Sequence, residues 1–460
     1  MPAYVTLNPT TGKTEQEFTT LDDAAVAEIV GRSDGAFADW RSTSAAERAQ
    51  LLIRIADAYD GRQDELAKLI STEMGKPLQE AVGEVQLAAA IYRWYGEHGP
   101  DLLEREVLDP QGSDESLVQT GPVGPLIGVM PWNYPYYQVA RFVGPNLMVG
   151  NTIILKHAPI CAASSEAMAD IVHTAGVPED VYINVFATNE QIADMIADPR
   201  VHGVSLTGSE RAGASVAETA GRNLKKAVLE LGGSDAFIVL DDGDLERTAE
   251  IGAQARLSNT GQACNSPKRM IVSNDKVDDF VSVIVRAFES AQVGDPTDPN
   301  TQVGPLSSIG ARDTVVEQVN RAVEQGATLH TGGDALEGDG AFMRPAVLTG
   351  VTKDMDAYSE EIFGPVAVIY GVNSSDEAVT LANDVGFGLS GSVWGSDIER
   401  AQEIADRLEV GMAYVNEHGT TLPGLPFGGV KRSGFGRELG RWGMGEFVNT
   451  RLRRTSGTKK

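Results

Sequence analysis

Cysteine is almost missing from this chain. Its 460 residues contain two, Cys161 and Cys264, too few and too far apart to form a disulfide framework or a thiolate metal site. The six histidines are scattered, with no HxxxH or HExxH pair, so no structural or catalytic metal is expected. Basic residues are also scarce: 38 Lys and Arg stand against 65 Asp and Glu, a formal charge of −27. That deficit argues against a nucleic-acid-binding surface, which requires a basic face. It also means that an anionic substrate must be drawn in by a few placed cations, because the overall field repels it. No apolar run reaches the roughly 18 residues that span a bilayer, so no membrane partner is expected. Met1-Pro-Ala-Tyr-Val lacks a basic segment followed by an apolar stretch, so no secretory leader is expected either. A reducing, cytoplasmic location follows from these absences.

What is present is an ordinary soluble composition, 42% hydrophobic and 22% charged, in a chain too long for a single core. Residues 4–20 read as a strand-and-turn leader around Asn8-Pro9-Thr10-Thr11-Gly12, with Thr455–Lys460 as a disordered end. From Leu21 to about Glu97 the chain is rich in Ala, Glu and Leu with helical periodicity. Thr20-Leu-Asp-Asp and Ser42-Thr-Ser-Ala-Ala-Glu serve as N-terminal caps. Residues 103–121 are polar and turn-rich around Asp109-Pro-Gln-Gly, suggesting an extended excursion. From Pro122 short apolar strands alternate with helices: 126–130, 152–155, 181–186, 203–206, 226–229 and 236–239. This pattern predicts a parallel, helix-covered sheet that binds ligands at its strand ends. After Gly232-Gly233 a second α/β unit is predicted, with strands at 270–273 and 367–370 and helices at 244–259, 276–291, 310–326, 375–384 and 398–409. An alternating segment near 446–453 reads as an edge or intersubunit strand.

The residues that carry chemistry fall in short motifs. Asn259-Thr-Gly-Gln-Ala-Cys264-Asn-Ser-Pro-Lys-Arg269 puts a cysteine on an irregular segment after a turn and before a strand, where a side chain can be aimed into a cleft. A thiol is strongly nucleophilic even when only a small fraction is ionised. Leu229-Glu230-Leu231-Gly232-Gly233 sets an acid between leucines at a buried strand end, which is unusual unless the acid has a partner or a chemical role. Pro131-Trp132-Asn133-Tyr134-Pro135 mounts an amide on a turn fixed by two prolines. Leu206-Thr207-Gly208-Ser209-Glu210 opens a helix whose free N–H groups favour an anion. There is no GxGxxG fingerprint. Glu360-Glu361-Ile362-Phe363-Gly364-Pro365, Pro426-Phe427-Gly428-Gly429 and Ser433-Gly434-Phe435-Gly436-Arg437-Glu438 complete the set.

Taken in chain order, and over about Asn8 to Thr450, these motifs resemble the aldehyde dehydrogenase superfamily. The resemblance implies an α/β architecture. A Rossmann-type dinucleotide-binding domain would comprise 1–102 and 123–232, with an α/β catalytic domain at 233–428 and a small β oligomerisation element at 103–122 and 445–454. It implies Cys264 as nucleophile, Glu230 as general base and Asn133 as oxyanion donor. Met130, Pro131, Trp132, Lys156, His157, Pro159, Gly208, Ser209, Leu231, Gly232, Glu361 and Phe363 are then expected at the dinucleotide. Where relatives that prefer NAD often carry a glutamate, this chain has Pro159, and Lys156 and His157 lie close by. NADP or NAD is therefore expected, with NADP favoured.

Arg141, eight residues after Asn133, matches the arginine that receives the distal carboxylate in succinate-semialdehyde dehydrogenases, and Tyr137 and Phe427 are expected beside it. The alternative for Arg141 is a surface arginine on a helix. A second carboxylate-binding arginine of some members is replaced by Ser258, and the second cysteine of a redox switch by Ser266. Cys161 reads as packing. The expected reaction is oxidation of an aldehyde, succinate semialdehyde before others, by a homodimer or homotetramer. The alternatives are a broad-specificity aliphatic or aromatic aldehyde dehydrogenase, and a non-catalytic dinucleotide-binding member.

Overall fold

The computed structural model describes residues 4–109, 111–240 and 244–456. The leader forms a hairpin, Tyr4–Asn8 against Lys13–Phe18. The Ala/Glu/Leu-rich stretch then resolves into four helices, Asp23–Trp40, Ala45–Gly61, Gln63–Met74 and Leu78–Leu102. The first is capped by Asp22. The second carries a reciprocal box in which Ser44 and Glu47 satisfy each other's backbone N–H groups.

The six-stranded sheet has the order 434–435, 226–230, 203–207, 125–129, 152–156, 182–184, parallel except for Gly434–Phe435. The chain enters at Pro125–Val129, builds outward to 152–156 and 182–184, then returns to the other side at 203–207. The crevice beside the carboxyl end of 125–129 is therefore a topological switch point, where open α/β sheets take ligands. The connecting helix Pro135–Val149 is buried along its whole length and ends at Gly150 in the left-handed region, φ 105°. A helix with no solvated face must pair any charge that it carries, and it carries Arg141.

The seven-stranded sheet runs 328–331, 346–349, 366–372, 269–273, 236–239, 390–394, 412–415, with only 328–331 antiparallel. Four of these strands were not anticipated: Thr328–Thr331, Ala346–Thr349, Ser390–Trp394 and Met412–Val415. They are four or five residues long. Ser390-Gly-Ser-Val-Trp394 is buried throughout despite its small polar residues, so it shows neither an apolar run nor an alternation. The predicted excursion is real: Glu115–Pro122 pairs with Glu106–Leu108 on one side and with Val448–Thr455 on the other, in a three-stranded antiparallel sheet. Thr455, expected to be disordered, is in register with Glu115. Residues 457–460 and Pro110 of the expected turn lie outside the described residues.

Candidate active site

The two large sheets meet the site with opposite ends. The six-stranded sheet offers the carboxyl ends of its strands, at Val129, Lys156, Thr207 and Glu230. The seven-stranded sheet offers segments that precede its strands: Gly232-Gly233 before 236–239, Cys264 before 269–273, and Glu361 and Phe363 before 366–372. Between them lies a cavity of about 260 Å³ lined by Pro131, Trp132, Asn133, Gly208, Ser209, Leu231, Gly232, Cys264, Glu361 and Phe363 among others. Ten residues singled out by motif, from five separate stretches of chain, thus line one space.

The Cys264 segment is held in an uncommon backbone conformation. Asn259, Thr260 and Gly261 have φ of 50°, 56° and 73° in succession, a run that costs L-residues unless the surroundings enforce it. The surroundings do so. Buried Arg256 donates to the carbonyls of Gly261 (3.0 Å), Val366 (2.7 Å) and Ile362 (2.8 Å) and to Ser266 Oγ (2.9 Å). Glu80 accepts the Asn259 N–H at 2.6 Å. A Cβ on Gly261 would lie 2.3 Å from the Gly364 carbonyl oxygen, so only glycine fits there. Arg256 and Ser266 are therefore framework, and Ser258 bonds to Glu80.

Asn133 is tied to the same segment. Its Nδ2 donates to the Gln262 carbonyl at 3.1 Å, and its own carbonyl accepts from Lys76 Nζ and Asn259 Nδ2, each at 2.9 Å. One amide hydrogen of Asn133 is thus used in holding it two residues from Cys264, which leaves the other for a ligand. Burial pushes the Cys264 thiol up to about 12, with Arg141 and Lys268 pulling it down and Glu361 and Asp235 pushing it further up. It is protonated at neutral pH and needs a base. Cys161 is fully buried behind the Trp132 carbonyl, and burial holds its thiol well above the usual range, in keeping with packing.

Glu230 ends its strand with a buried carboxyl whose two oxygens have no hydrogen-bond partner among the described residues. Burial first, then the nearby Glu438, raises its pKa well above the usual carboxylate range, while Arg141 and Arg437 act in the opposite sense. The carboxyl packs against Gly428, where a Cβ would come within 2.5 Å of Oε1. Arg141 is not on the surface. Its Nε lies 2.6 Å from Glu438 Oε2, Nη1 donates to the Tyr137 hydroxyl (3.0 Å) and Nη2 to Thr207 Oγ1 (3.4 Å). The guanidinium sits 4.2 Å from the Phe427 ring centre and 4.7 Å from that of Tyr137. Phe427 also borders a second cavity of about 190 Å³ that includes Tyr414, Thr421 and Leu425.

A third cavity, of about 350 Å³, runs from Lys156 along the helix Glu210–Arg222 and includes Ser209 and Arg211. Lys156 is buried, and its ammonium has no hydrogen bond or ion pair among the described residues. It lies 5.9 Å from the centre of the Tyr4 ring. Among the described residues two cations and no carboxylate line this cavity, a donor set suited to the ribose and phosphate end of a dinucleotide.

His157 does not contribute there. Its ring is buried, Nε2 faces the Pro135 carbonyl and Nδ1 accepts the Ala158 N–H. Burial lowers its pKa to about 4, so it brings no charge to a phosphate, contrary to the sequence expectation. Met130 sits in the core and is tied to Lys156 by its backbone N–H, and Pro159 lines neither dinucleotide-side cavity. Sequence reasoning missed Arg211, Lys268, and the set Lys76, Glu80 and Glu84, of which Lys76 and Glu84 are buried and Glu80 half-buried. As charges four residues apart, the last three look like a solvated helix face.

The model of the Aldehyde dehydrogenase family matches residues 2–452. The chain is 52% identical over 458 residues to the succinate-semialdehyde dehydrogenase (NADP(+)) of Deinococcus radiodurans, covering 99% of this chain and 96% of that one. It is 41% identical over 457 residues to an aldehyde dehydrogenase of Paenarthrobacter nicotinovorans, covering 99% and 100%. The crystal structure of succinic semialdehyde dehydrogenase from Streptococcus pyogenes in complex with NADP+ superposes with a TM-score of 0.97 at 40% identity, over 99% of this chain and 100% of that chain.

Proposed function

The chain belongs to the aldehyde dehydrogenase family, and from that premise we propose that it oxidises succinate semialdehyde to succinate with NADP, and with NAD less well. The observation that carries the substrate is Arg141. It is a buried guanidinium between Tyr137 and Phe427, close enough to bear on the charge of both Cys264 and Glu230. A planar fork of this kind suits a carboxylate. The names of the similar proteins support the same substrate. NADP is supported by Lys156 and Arg211 in a cavity free of acids.

The residues then take these roles. Glu230, in its ionised form, takes the thiol proton of Cys264 and passes it to solvent; the sulfur then forms a bond to the aldehyde carbon, and the carbonyl electrons move onto oxygen. The Asn133 amide and the Cys264 backbone N–H donate to that oxyanion, worth a few kcal/mol in the transition state. When bound, the dinucleotide supplies the hydride acceptor. Glu361 and Phe363 border the cavity where its reactive end fits, and Lys156, Ser209 and Arg211 the end that carries phosphate. Loss of hydride leaves a thioester on Cys264. Glu230, its oxygens unclaimed by other donors, takes a proton from water as the water attacks, releasing the acid and the thiol.

We assign the dinucleotide unit to 1–102 and 123–232, the catalytic unit to 233–428, and oligomerisation to the sheet formed by 103–122 and 445–454. Val448–Thr455 is exposed along nearly all its length, and an unpaired edge of that kind suits a homodimer or homotetramer. Two free cysteines fit a reducing cytoplasm, and no helix among the described residues is long and apolar enough to cross a membrane.

The test compares initial rates with succinate semialdehyde and butanal, for wild type and Arg141→Ala. The reading expects wild type to prefer the charged aldehyde by about 10²-fold and the variant to lose that preference while retaining butanal turnover. Equal rates on both aldehydes, unchanged by the substitution, leave a broad aldehyde dehydrogenase in its place.

A further inference from the structure

Lys268 takes no part in the roles assigned above, yet it touches three of the elements they depend on. Its ammonium is buried. It donates to the carbonyl oxygens of Ala263 (2.8 Å) and Cys264 (2.7 Å), and it lies 3.1 Å from Glu361 Oε1. It also stands 5.7 Å from the centre of the Phe363 ring. An ammonium has three N–H donors. Two carbonyls and one carboxylate use all three, so the group has a fixed orientation and no donor left for solvent.

The carbonyl of Ala263 and the N–H of Cys264 belong to one peptide unit. That unit is planar and trans, so its C=O and N–H point in opposite directions. Fixing the carbonyl oxygen on one side therefore fixes the direction of the N–H on the other. That N–H is the backbone donor assigned to the oxyanion. The second contact, to the Cys264 carbonyl, anchors the next peptide along, so the nucleophile is held on both sides of its Cα by the same cation.

Glu361 adds a dependence. Its Oε1 also accepts the Gly233 N–H at 3.1 Å, and Gly232 leaves room for Oε2, since a Cβ there would lie 2.4 Å from it. The carboxylate therefore has one oxygen committed to Lys268 and Gly233, and it borders the cavity. The charges of Lys268 and Glu361 act on the thiol in opposite senses, alongside Arg141, which acts with Lys268, and Asp235, which acts with Glu361. Drawing Glu361 toward a hydroxyl-bearing ligand weakens its hold on Lys268, and the balance at Cys264 moves toward the cation.

We propose that Lys268 is a positioning residue: it aims the Cys264 N–H at the reacting carbonyl and makes the reactivity of Cys264 depend on whether Glu361 is engaged by the dinucleotide. This rests on the assignment of Cys264 as nucleophile and of Glu361 to the cofactor. The same contacts give Lys268 no reason to alter aldehyde binding.

The experiment uses the full-length enzyme, with Lys268→Met (similar length, no charge) and Glu361→Gln beside wild type. Two quantities are measured: kcat and KM for the aldehyde, and the second-order rate of Cys264 alkylation by iodoacetamide at fixed pH with and without saturating NADP+. Cofactor affinity is followed separately by quenching of protein fluorescence. Lys268→Met is expected to lose about 10²-fold in kcat with KM changed by less than about threefold. Its alkylation rate should no longer respond to NADP+ while NADP+ still binds. Glu361→Gln, which removes the opposing charge and leaves the nucleophile segment intact, should alkylate faster than wild type in the absence of cofactor. This arm stands even if Lys268→Met fails to fold.

A Lys268→Met enzyme that keeps wild-type kcat and the NADP+ response overturns the proposal, as does a Glu361→Gln enzyme that alkylates at the wild-type rate or slower. If Cys264→Ala retains aldehyde oxidation, the assignment of the nucleophile has failed and the proposal falls with it. That outcome is told apart from the others because it is read without touching Lys268.

Discussion

Two clusters of buried charge flank the reacting groups, and they are built differently. Behind Asn133, Lys76 is paired with Glu84, holds the Asn133 carbonyl and lies 3.6 Å from the centre of the Tyr134 ring. Glu84 spends its other oxygen on the N–H groups of Tyr136 (2.8 Å) and Tyr137 (3.3 Å), donors in the first turn of the helix Pro135–Val149 that have no partner within the helix. Beside Gly428, Glu230 is as deeply buried but has neither oxygen satisfied among the described residues. Its strongest neighbours are a second carboxyl, Glu438, and the shared cation Arg141. A buried carboxylate with all its partners is framework, since removing any one partner strands the rest. A buried carboxylate with none gives up stability to keep its lone pairs available. Burial alone does not distinguish them; the hydrogen-bond accounting does.

The largest expected effect breaks the Glu230 side. Glu230→Gln should lower acid production by about 10²- to 10⁴-fold without lowering the unfolding midpoint, since no hydrogen bond is lost. The pH profile gives the sign. A base works only after losing its proton, and the Glu230 pKa is raised, so the rate in wild type should climb with pH through a limb well above the ordinary carboxylate range. That limb should vanish in the variant. The fold binds the Glu230 proton more tightly than the unfolded chain does. Its contribution to stability is therefore fully present below the unfolded value near 4.5 and is lost as pH rises through the folded one. A profile unchanged by Glu230→Gln would assign the limb to another group.

Breaking the other cluster should reverse the pattern. Lys76→Met leaves buried Glu84 without its cation and takes one of two donors from the Asn133 carbonyl, and a loss of about 3–5 kcal/mol in unfolding free energy is expected from urea titration at fixed protein concentration. Activity should fall only as far as folded enzyme is lost. A stable Lys76→Met protein would mean that the cluster is not framework. The smallest effect lies on the surface near Lys156. Arg211→Ala should reduce the preference for NADP over NAD by about tenfold, read as a ratio of kcat/KM values, and leave both clusters untouched.

The residues now lining the central cavity were legible in the sequence because each lies in a short motif whose types are chemically unusual where they stand, such as an acid between leucines or a cysteine after a turn. The helical N-terminal stretch and the parallel sheet were legible from periodicity. The rest was not, for identifiable reasons. Lys76, Glu80 and Glu84 repeat every fourth residue, and only contacts made across 50 to 180 positions turn that stripe inward: Glu84 reaches Tyr136 over 52 residues and Glu80 reaches Asn259 over 179. His157 lies next to Lys156 in sequence, but its ring turns to the opposite side. Ser390–Trp394 carries no pattern that a strand requires. Arg141 could be read as clamp or surface; the buried helix around it removed the surface reading.

The left-handed run Asn259–Gly261 has a consequence for how the protein comes to be active. Its shape is enforced by Glu80 from 179 residues upstream and by an arginine whose other ends grip Ile362 and Val366, more than 100 residues downstream. No local segment can form it alone. A chain with its helices made and its sheets separately paired, but not yet joined, has no reason to hold Cys264 beside Asn133. The capacity to react therefore arises with the last long-range contacts, and turnover serves as a proofreader of complete folding.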